Sequence, residues 1–250
     1  MQTDARKTVK EIVLAMPDSM EVFERLGIDY CCGGDRPLEE ACRAAGRPVE
    51  DVLRSLEAAK TATRAGTRIT DWNHESLASL MNHIVERHHT FCRQELSRLE
   101  SLLTKVSEKH RTNHPELSRL KSLFSGMSKE LLMHLVKEEQ TLFPYIIRME
   151  EAVTRCIPFP RPPFGTVQNP VQMMVLEHDN AGAVLHEMRQ LSGDYRIPPD
   201  ACNSYQALYE GLKSFESDMH QHIHLENNLL FPRAIEMEDV AAAAEERTRD

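Results

Sequence analysis

The sequence has few glycines, few aromatic residues and no long apolar run. It contains 10 glycines in 250 residues, and aromatic residues make up 6% of the chain. This composition disfavours sheets and favours helices. No stretch reaches the roughly 18 apolar residues of a membrane span, and the start of the chain lacks the apolar segment of a secretory signal. We therefore expect an all-α protein located in the cytoplasm.

The sequence also has little basic character and few cysteines. Its formal net charge is −9 and its pI is near 5.8. Nucleic acids and anionic membranes bind clusters of Lys and Arg, so we expect neither as a partner. The six cysteines include no C-x-x-C pair, and this scarcity argues against a disulfide scaffold and against structural zinc of the usual spacing.

The first part of the chain is predicted to be a small helical domain, residues 1–62. Short helices are expected over Val9 to Ala15 and from Pro17 and Asp18 to Leu26, where Gly27 ends the second. Two more are expected to begin at Pro37 and Pro48, because proline is favoured at the start of a helix. Residues 63–70 are polar and have no periodicity, which indicates a linker.

The second part, residues 71–240, contains four long segments whose apolar residues recur at steps of three and four. The stripe of the first segment begins Val85, His89, Cys92, and that of the third is Val171, Met174, His178, Ala181, Leu185, Met188. This pattern predicts a four-helix up-down bundle. Residues 154–170 carry five prolines and one glycine, so we expect a non-helical crossover between the two halves of the bundle.

The two halves of the bundle repeat one arrangement of histidine and glutamate. His89 and His134 are 45 residues apart, and His178 and His222 are 44 apart. The second histidine of each half is followed four residues later by glutamate and then by Leu-Phe-Pro, as HLVKEEQTLFP (134–144) and HIHLENNLLFP (222–232). Because residues four apart share one helix face, we expect these side chains to converge in the core.

Two carboxylates buried in an apolar core require a compensating cation, and the predicted seams place no Lys or Arg near them. Two adjacent metal ions, each bound by two histidines and bridged by both glutamates, would use every group. Mixed imidazole and carboxylate ligands suit iron better than manganese or zinc. The predicted ligands of this non-heme di-iron site, which we expect to be oxo- or hydroxo-bridged, are His89, His134, Glu138, His178, His222 and Glu226.

Other interpretations of these residues are a hydrogen-bonded polar layer and a ferritin-like centre. The ferritin-like centre would need Glu-x-x-His on two helices, and only Glu86 with His89 fits. His88 competes with His89 for the first ligand position, although the spacing favours His89. The remaining histidines, which include His83, His220 and His224, lie off the repeated pattern and are expected at the surface.

The bundle region resembles the hemerythrin-like fold in His89, HLVKE (134–138), EHD (177–179) and HIHLENNLLFP. With DYCCGG (29–34), nearly the whole chain resembles the di-iron repair-of-iron-centres proteins, also called iron-sulfur cluster repair proteins. Oxygen-carrying hemerythrins hold their irons with five histidine ligands. This sequence departs from them because it offers four histidines at the ligand positions, His89, His134, His178 and His222. The resemblance implies a cytoplasmic stress protein that acts on iron-sulfur proteins damaged by nitric oxide or peroxide, by donating iron. It is also compatible with a homodimer.

Two other functions stay open, so the sequence does not decide whether the protein is an enzyme. The di-iron site could reduce nitric oxide, or bind another small diatomic, and form nitrous oxide. It could also act as a hemerythrin-like oxygen or redox sensor. Cys31 and Cys32 are candidates for iron transfer or redox chemistry; alternatively, they fill a tight turn as small apolar residues. Their α-carbons, about 3.8 Å apart, are too close for an ordinary disulfide.

Overall fold

The computed structural model describes residues 4–62, 71–158 and 162–247. The predicted linker, 63–70, and part of the proline-rich segment, 159–161, lie outside these ranges. The regular elements of the described residues are helices, which confirms the all-α prediction. None of these helices is long and apolar enough to cross a membrane.

The chain divides into two compact units. The first unit comprises residues 1–76 together with 223–232, and the second comprises residues 77–222 together with 233–250. The short segment 223–232 lies within the last long helical stretch of the chain but belongs to the first unit. This assignment matters because the segment carries Glu226.

The first unit contains the four short helices predicted from the prolines and the glycine. They are α1 (Val9–Ala15), α2 (Ser19–Leu26), α3 (Leu38–Ala44) and α4 (Val49–Ala62). A capping box starts α1: the Thr8 hydroxyl accepts a hydrogen bond from the Glu11 amide, and the Glu11 carboxylate accepts one from the Thr8 amide. Gly27 ends α2 in the left-handed conformation, with φ 70°. The apolar faces of the helices enclose a core that includes Phe23.

The second unit contains helices that bury apolar residues. They are α5 (Leu77–His83), α6 (Thr90–His110), α7 (Glu116–Lys137), α8 (Phe143–Arg155) and α9 (Gln168–Leu191), together with α10 (Asn203–Leu225) up to residue 222 and α11 (Phe231–Arg247) from residue 233. The stripe predicted for α9 is buried along its whole length, from Val171 to Met188. A helical bundle follows from these stripes because each must pack against another.

Helices cover both ends of the range 154–170, which was predicted to be non-helical. Helix α8 continues to Arg155, where Cys156 ends it with a left-handed φ of 52°, and α9 begins at Gln168. Pro170 is therefore helical. It is tolerated because the first four amides of a helix have no partner within the helix, so the missing N–H of Pro170 costs nothing there.

Three π-helical turns interrupt the long helices of the described chain, and they were not predicted from the sequence. They span Ile84–His89, Glu138–Leu142 and Glu226–Leu230. The second and third come just before Pro144 and Pro232, which have no N–H to donate to the carbonyl four residues earlier. Such turns are frequent at functional sites, and each of these three contains a predicted metal ligand.

An ion pair with a buried carboxylate joins α9 and α10, and we expect its loss to destabilise the fold. Arg189 Nε donates to Glu216 Oε1 at 2.9 Å, and the Glu216 side chain is buried. Burial, and then the nearby Glu216, raise the pKa of Tyr195. Arg189→Met should lower the free energy of unfolding by about 3–5 kcal/mol, because it removes the cation beside a buried carboxylate. Denaturant unfolding followed by circular dichroism measures the change.

The matched control for this prediction is Arg119→Met, which breaks the solvent-exposed pair of Arg119 with Glu187 of α9. An exposed pair contributes at most about 1 kcal/mol. Equal losses of stability in the two variants would show that burial does not set the contribution of the Arg189 pair.

Candidate metal centre

The structure brings all six predicted ligands together. Among the described residues, two groups place their donor atoms within 4.8 Å of one another: His89, Glu138, His222 and Glu226 form one, and His134, Glu138, His178 and Glu226 form the other. All six side chains are buried. The two glutamates belong to both groups, whereas each histidine belongs to one.

Local helix geometry explains this convergence. His134 and Glu138 are four residues apart, as are His222 and Glu226, so each pair points from one face of a helix. His89 ends the first π-helical turn, and His178 lies in the middle of α9.

The imidazoles face each other in pairs across the centre. The Nε2 atoms of His89 and His222 are 3.2 Å apart, and those of His134 and His178 are 3.0 Å apart. Glu138 places Oε2 3.4 Å from His89 Nε2 and Oε1 3.4 Å from His134 Nε2. One carboxylate thus reaches both imidazole pairs, as a bridging ligand would.

Two further carboxylates fix the orientation of the imidazoles from outside. His89 Nδ1 is 2.7 Å from Glu139, which also binds Arg93. Burial opposes ionisation of Glu139, but its bonds with His89 and Arg93 outweigh burial and lower its pKa. An ionised carboxylate accepts a hydrogen bond from Nδ1–H and so orients the ring with Nε2 towards the centre.

Glu177 orients the His134 ring in the same way. Its carboxylate is 2.8 Å from His134 Nδ1 and forms an ion pair with Lys137. Burial opposes ionisation here too, and the bonds from Lys137 and His134 lower the pKa of Glu177. Glu177 therefore orients the ring of His134 as Glu139 orients that of His89.

The donor set fits cations better than it fits a layer of hydrogen bonds. Glu138 and Glu226 are carboxylates fully buried in one cluster of the core, and such groups need a compensating positive charge. Metal cations would supply that charge, and a set of imidazole and carboxylate donors suits iron.

His88, the alternative first ligand, is buried but belongs to neither group. Its Nδ1 lies 3.1 Å from Asp218, and its ring stacks on His222 with an interplanar angle of 10°. His88 therefore contacts a predicted ligand from outside the centre.

Cys31 and Cys32 are free cysteines that belong to neither group. Their sulfurs are 3.9 Å apart, and the Cys31 thiol is 3.4 Å from Asp29 Oδ1. The hydrogen bond with Cys32, followed by burial, raises the pKa of Cys31 well above its usual value. Cys31 is thus a protonated thiol at neutral pH, and Cys32 is the more exposed sulfur of the pair.

Sequence reasoning missed several residues around the centre. Glu139 directly follows Glu138, and Glu177 directly precedes His178, so their adjacency to ligands was an available signal. The expectation that His224 lies at the surface is wrong, because its side chain is 3% exposed. Burial lowers the pKa of His224 to about 4, and its ring contacts Tyr30 edge to face.

Each part of the chain matches a known protein family. Residues 5–60 match a family described as a domain of unknown function, DUF542, and residues 80–234 match the hemerythrin HHE cation binding domain. The iron-sulfur cluster repair protein YtfE of Escherichia coli O81 is 34% identical over 227 residues, covering 90% of this chain and 94% of that protein. The protein of the same name from Yersinia pseudotuberculosis is 32% identical over 224 residues, with coverage of 90% and 94%.

These matches extend over nearly the whole chain and include both the module with the paired cysteines and the bundle with the six converging ligands. The chain joins a DUF542 domain to a hemerythrin HHE domain and belongs to the family of iron-sulfur cluster repair proteins.

Proposed function

We propose that this chain binds two iron ions and restores damaged iron-sulfur clusters by donating iron. The observation that supports this proposal most strongly is the sharing of Glu138 and Glu226 by two groups of donors. The ligands of one ion would be His89 and His222, those of the other His134 and His178, and both glutamates would contact each ion. Iron is the cargo of this reaction.

The ligand set suits release as well as binding. Imidazole and carboxylate bind iron less tightly than soft thiolates bind a cluster, so a thiolate-lined vacancy in a damaged cluster can accept the ion. The relatives of known name are iron-sulfur cluster repair proteins. Damaged iron-sulfur proteins are accordingly the proposed partners, and the cytoplasm is the proposed location.

An iron-transfer experiment tests the proposal. The protein is loaded with isotopically labelled ferrous iron, desalted, and mixed with an iron-sulfur protein whose four-iron cluster has lost one iron. A reductant supplies the single electron that completes the four-iron cluster. We expect labelled iron to enter the client and its four-iron spectroscopic signal to recover.

The control variants are Glu138→Ala, which should carry no iron, and Gln140→Ala, which changes an exposed residue of the same π-helical turn. The Gln140 variant should transfer iron as the unaltered protein does. If labelled iron stayed on the loaded protein while the client remained damaged, donation would be refuted.

The same preparation tests the enzymatic alternative. Nitric oxide and excess reductant are added to the loaded protein, and nitrous oxide is measured. Iron transfer accompanied by at most one nitrous oxide per iron pair supports repair. Many turnovers of nitrous oxide without iron transfer would instead identify a nitric oxide reductase.

A further inference from the structure

The loop that carries Cys31 and Cys32 is held along both edges of its backbone. On one edge the Asp29 carboxylate accepts hydrogen bonds from three consecutive amides, those of Cys31, Cys32 and Gly33, at 2.9–3.0 Å. A single side chain therefore orders the whole turn, and the two sulfurs have fixed and different environments.

The other edge of the loop is held by Asn228, inside the first unit. Its amide nitrogen donates to the carbonyl of Tyr30 at 3.2 Å and lies 3.5 Å from that of Cys31. The same nitrogen is 2.9 Å from Nδ1 of His224. Gly34 permits this approach, because a Cβ there would lie 3.1 Å from the Tyr30 carbonyl oxygen and 3.3 Å from Asn228 Oδ1.

The internal repeat shows that metal binding alone does not require these two residues. Asn228 and His224 correspond to Gln140 and Val136 of the first half, by their positions relative to the shared glutamates. Gln140 is exposed and Val136 is 36% exposed, whereas Asn228 and His224 are 7% and 3% exposed. The second half alone presents a buried polar pair on this helix face, and that pair contacts the cysteine loop.

Asn228 also shares a π-helical turn with a predicted ligand. The turn spans Glu226–Leu230, so the position of Glu226 and the direction of the Asn228 amide depend on the same backbone geometry. A metal ion that holds the Glu226 carboxylate would select one geometry of the turn. It would thereby favour the geometry in which Asn228 reaches the loop.

We propose that Asn228 is a positioning residue that couples the cysteine loop to Glu226, so that iron binding protects the Cys31 thiol and modification of that thiol weakens iron binding. This inference rests on the proposed iron site. Coupling between two sites is reciprocal, and typical values change an affinity by about 5-fold to 150-fold.

Thiol alkylation measures the coupling directly. Iodoacetamide is added at fixed pH to the full chain with and without two equivalents of ferrous iron, and mass spectrometry follows Cys31 and Cys32 separately. We expect iron to slow alkylation of Cys31 about fivefold or more and to affect the more exposed Cys32 less. In Asn228→Ala the rates with and without iron should become equal.

Gln140→Ala is the matched control, because it shortens an amide at the corresponding position of the other half. It should keep the full effect of iron on Cys31. A purely structural role for Asn228 would speed alkylation of Cys31 equally with and without iron, and this result would overturn the proposal. The proposal is also wrong if iron leaves the Cys31 rate of the unaltered protein unchanged.

A second measurement needs no variant and covers the case in which Asn228→Ala does not fold. Protein alkylated at Cys31 should bind ferrous iron more weakly than untreated protein in a chelator competition, because coupling between two sites acts in both directions. Equal affinities would refute the coupling. The metal count separates the two proposals: a chain that binds two irons without this linkage refutes only the coupling, whereas a chain that binds none refutes both.

Discussion

Glu138→Ala should remove both irons from the chain, whereas His178→Ala should preferentially weaken one position. The reason is that Glu138 contributes to both groups of donors and His178 to only one. The first variant also removes a buried carboxylate that repels Glu226 when no cation is present, so its metal-free form should be at least as stable as the unaltered chain. Iron per chain, measured by elemental analysis after desalting, gives the comparison.

Gln140→Ala serves as the control for this pair, since Gln140 lies two residues from Glu138 but is exposed. It should retain two irons. Retention of both irons in Glu138→Ala would show that the carboxylate is not shared, and the assignment of both groups would then fail.

Glu177→Gln should weaken iron binding by about 10-fold to 100-fold, although Glu177 belongs to neither donor group. Its carboxylate fixes the ring of His134 through Nδ1 and is itself held by Lys137. A neutral amide oxygen accepts a weaker hydrogen bond from Nδ1–H than a carboxylate does, so His134 becomes a poorer and less well oriented ligand. Chelator competition measures the affinity.

The control for this second prediction is Glu187→Gln, which neutralises an exposed carboxylate on the same helix, α9. The two variants have the same net charge, but only Glu177→Gln changes a residue that contacts the His134 imidazole. A loss of affinity common to both would point to the overall charge of the protein instead of the orientation of His134.

Much of the fold could be predicted because helix periodicity and proline positions are local signals. The stripe from Val171 to Met188 and the capped helix from Val9 to Ala15 required only spacing and terminal residues. The six converging residues could be predicted from the internal repeat. A single buried histidine can be an ordinary core residue, but the same spacing of histidine and glutamate in both halves indicates a common binding site.

The π-helical turns could not be predicted from a regular helical period. The expected first stripe placed Val85 four residues before His89, yet Ile84, five residues before it, is the fully buried residue. The π-helical turn from Ile84 to His89 contains one residue more than an α-helical turn. The buried residue on the same helix face as His89 is therefore five positions before it and not four. A period of 3.6 residues cannot represent this shift.

The burial of His224 and Asn228 could not be predicted for a different reason. On their own helix they lie off the apolar stripe, which indicates a solvent-facing position. They are buried by a loop that is distant in sequence, since Asn228 and Tyr30 are 198 residues apart. Only the three-dimensional structure brings that loop to the helix.

The central claim is that six residues hold two neighbouring iron ions, and anomalous diffraction at the iron absorption edge tests it most directly. Crystals of the iron-loaded protein should show two peaks, one beside His89 and His222 and the other beside His134 and His178, with Glu138 and Glu226 reaching both. One peak, or iron bound away from these residues, would contradict the account.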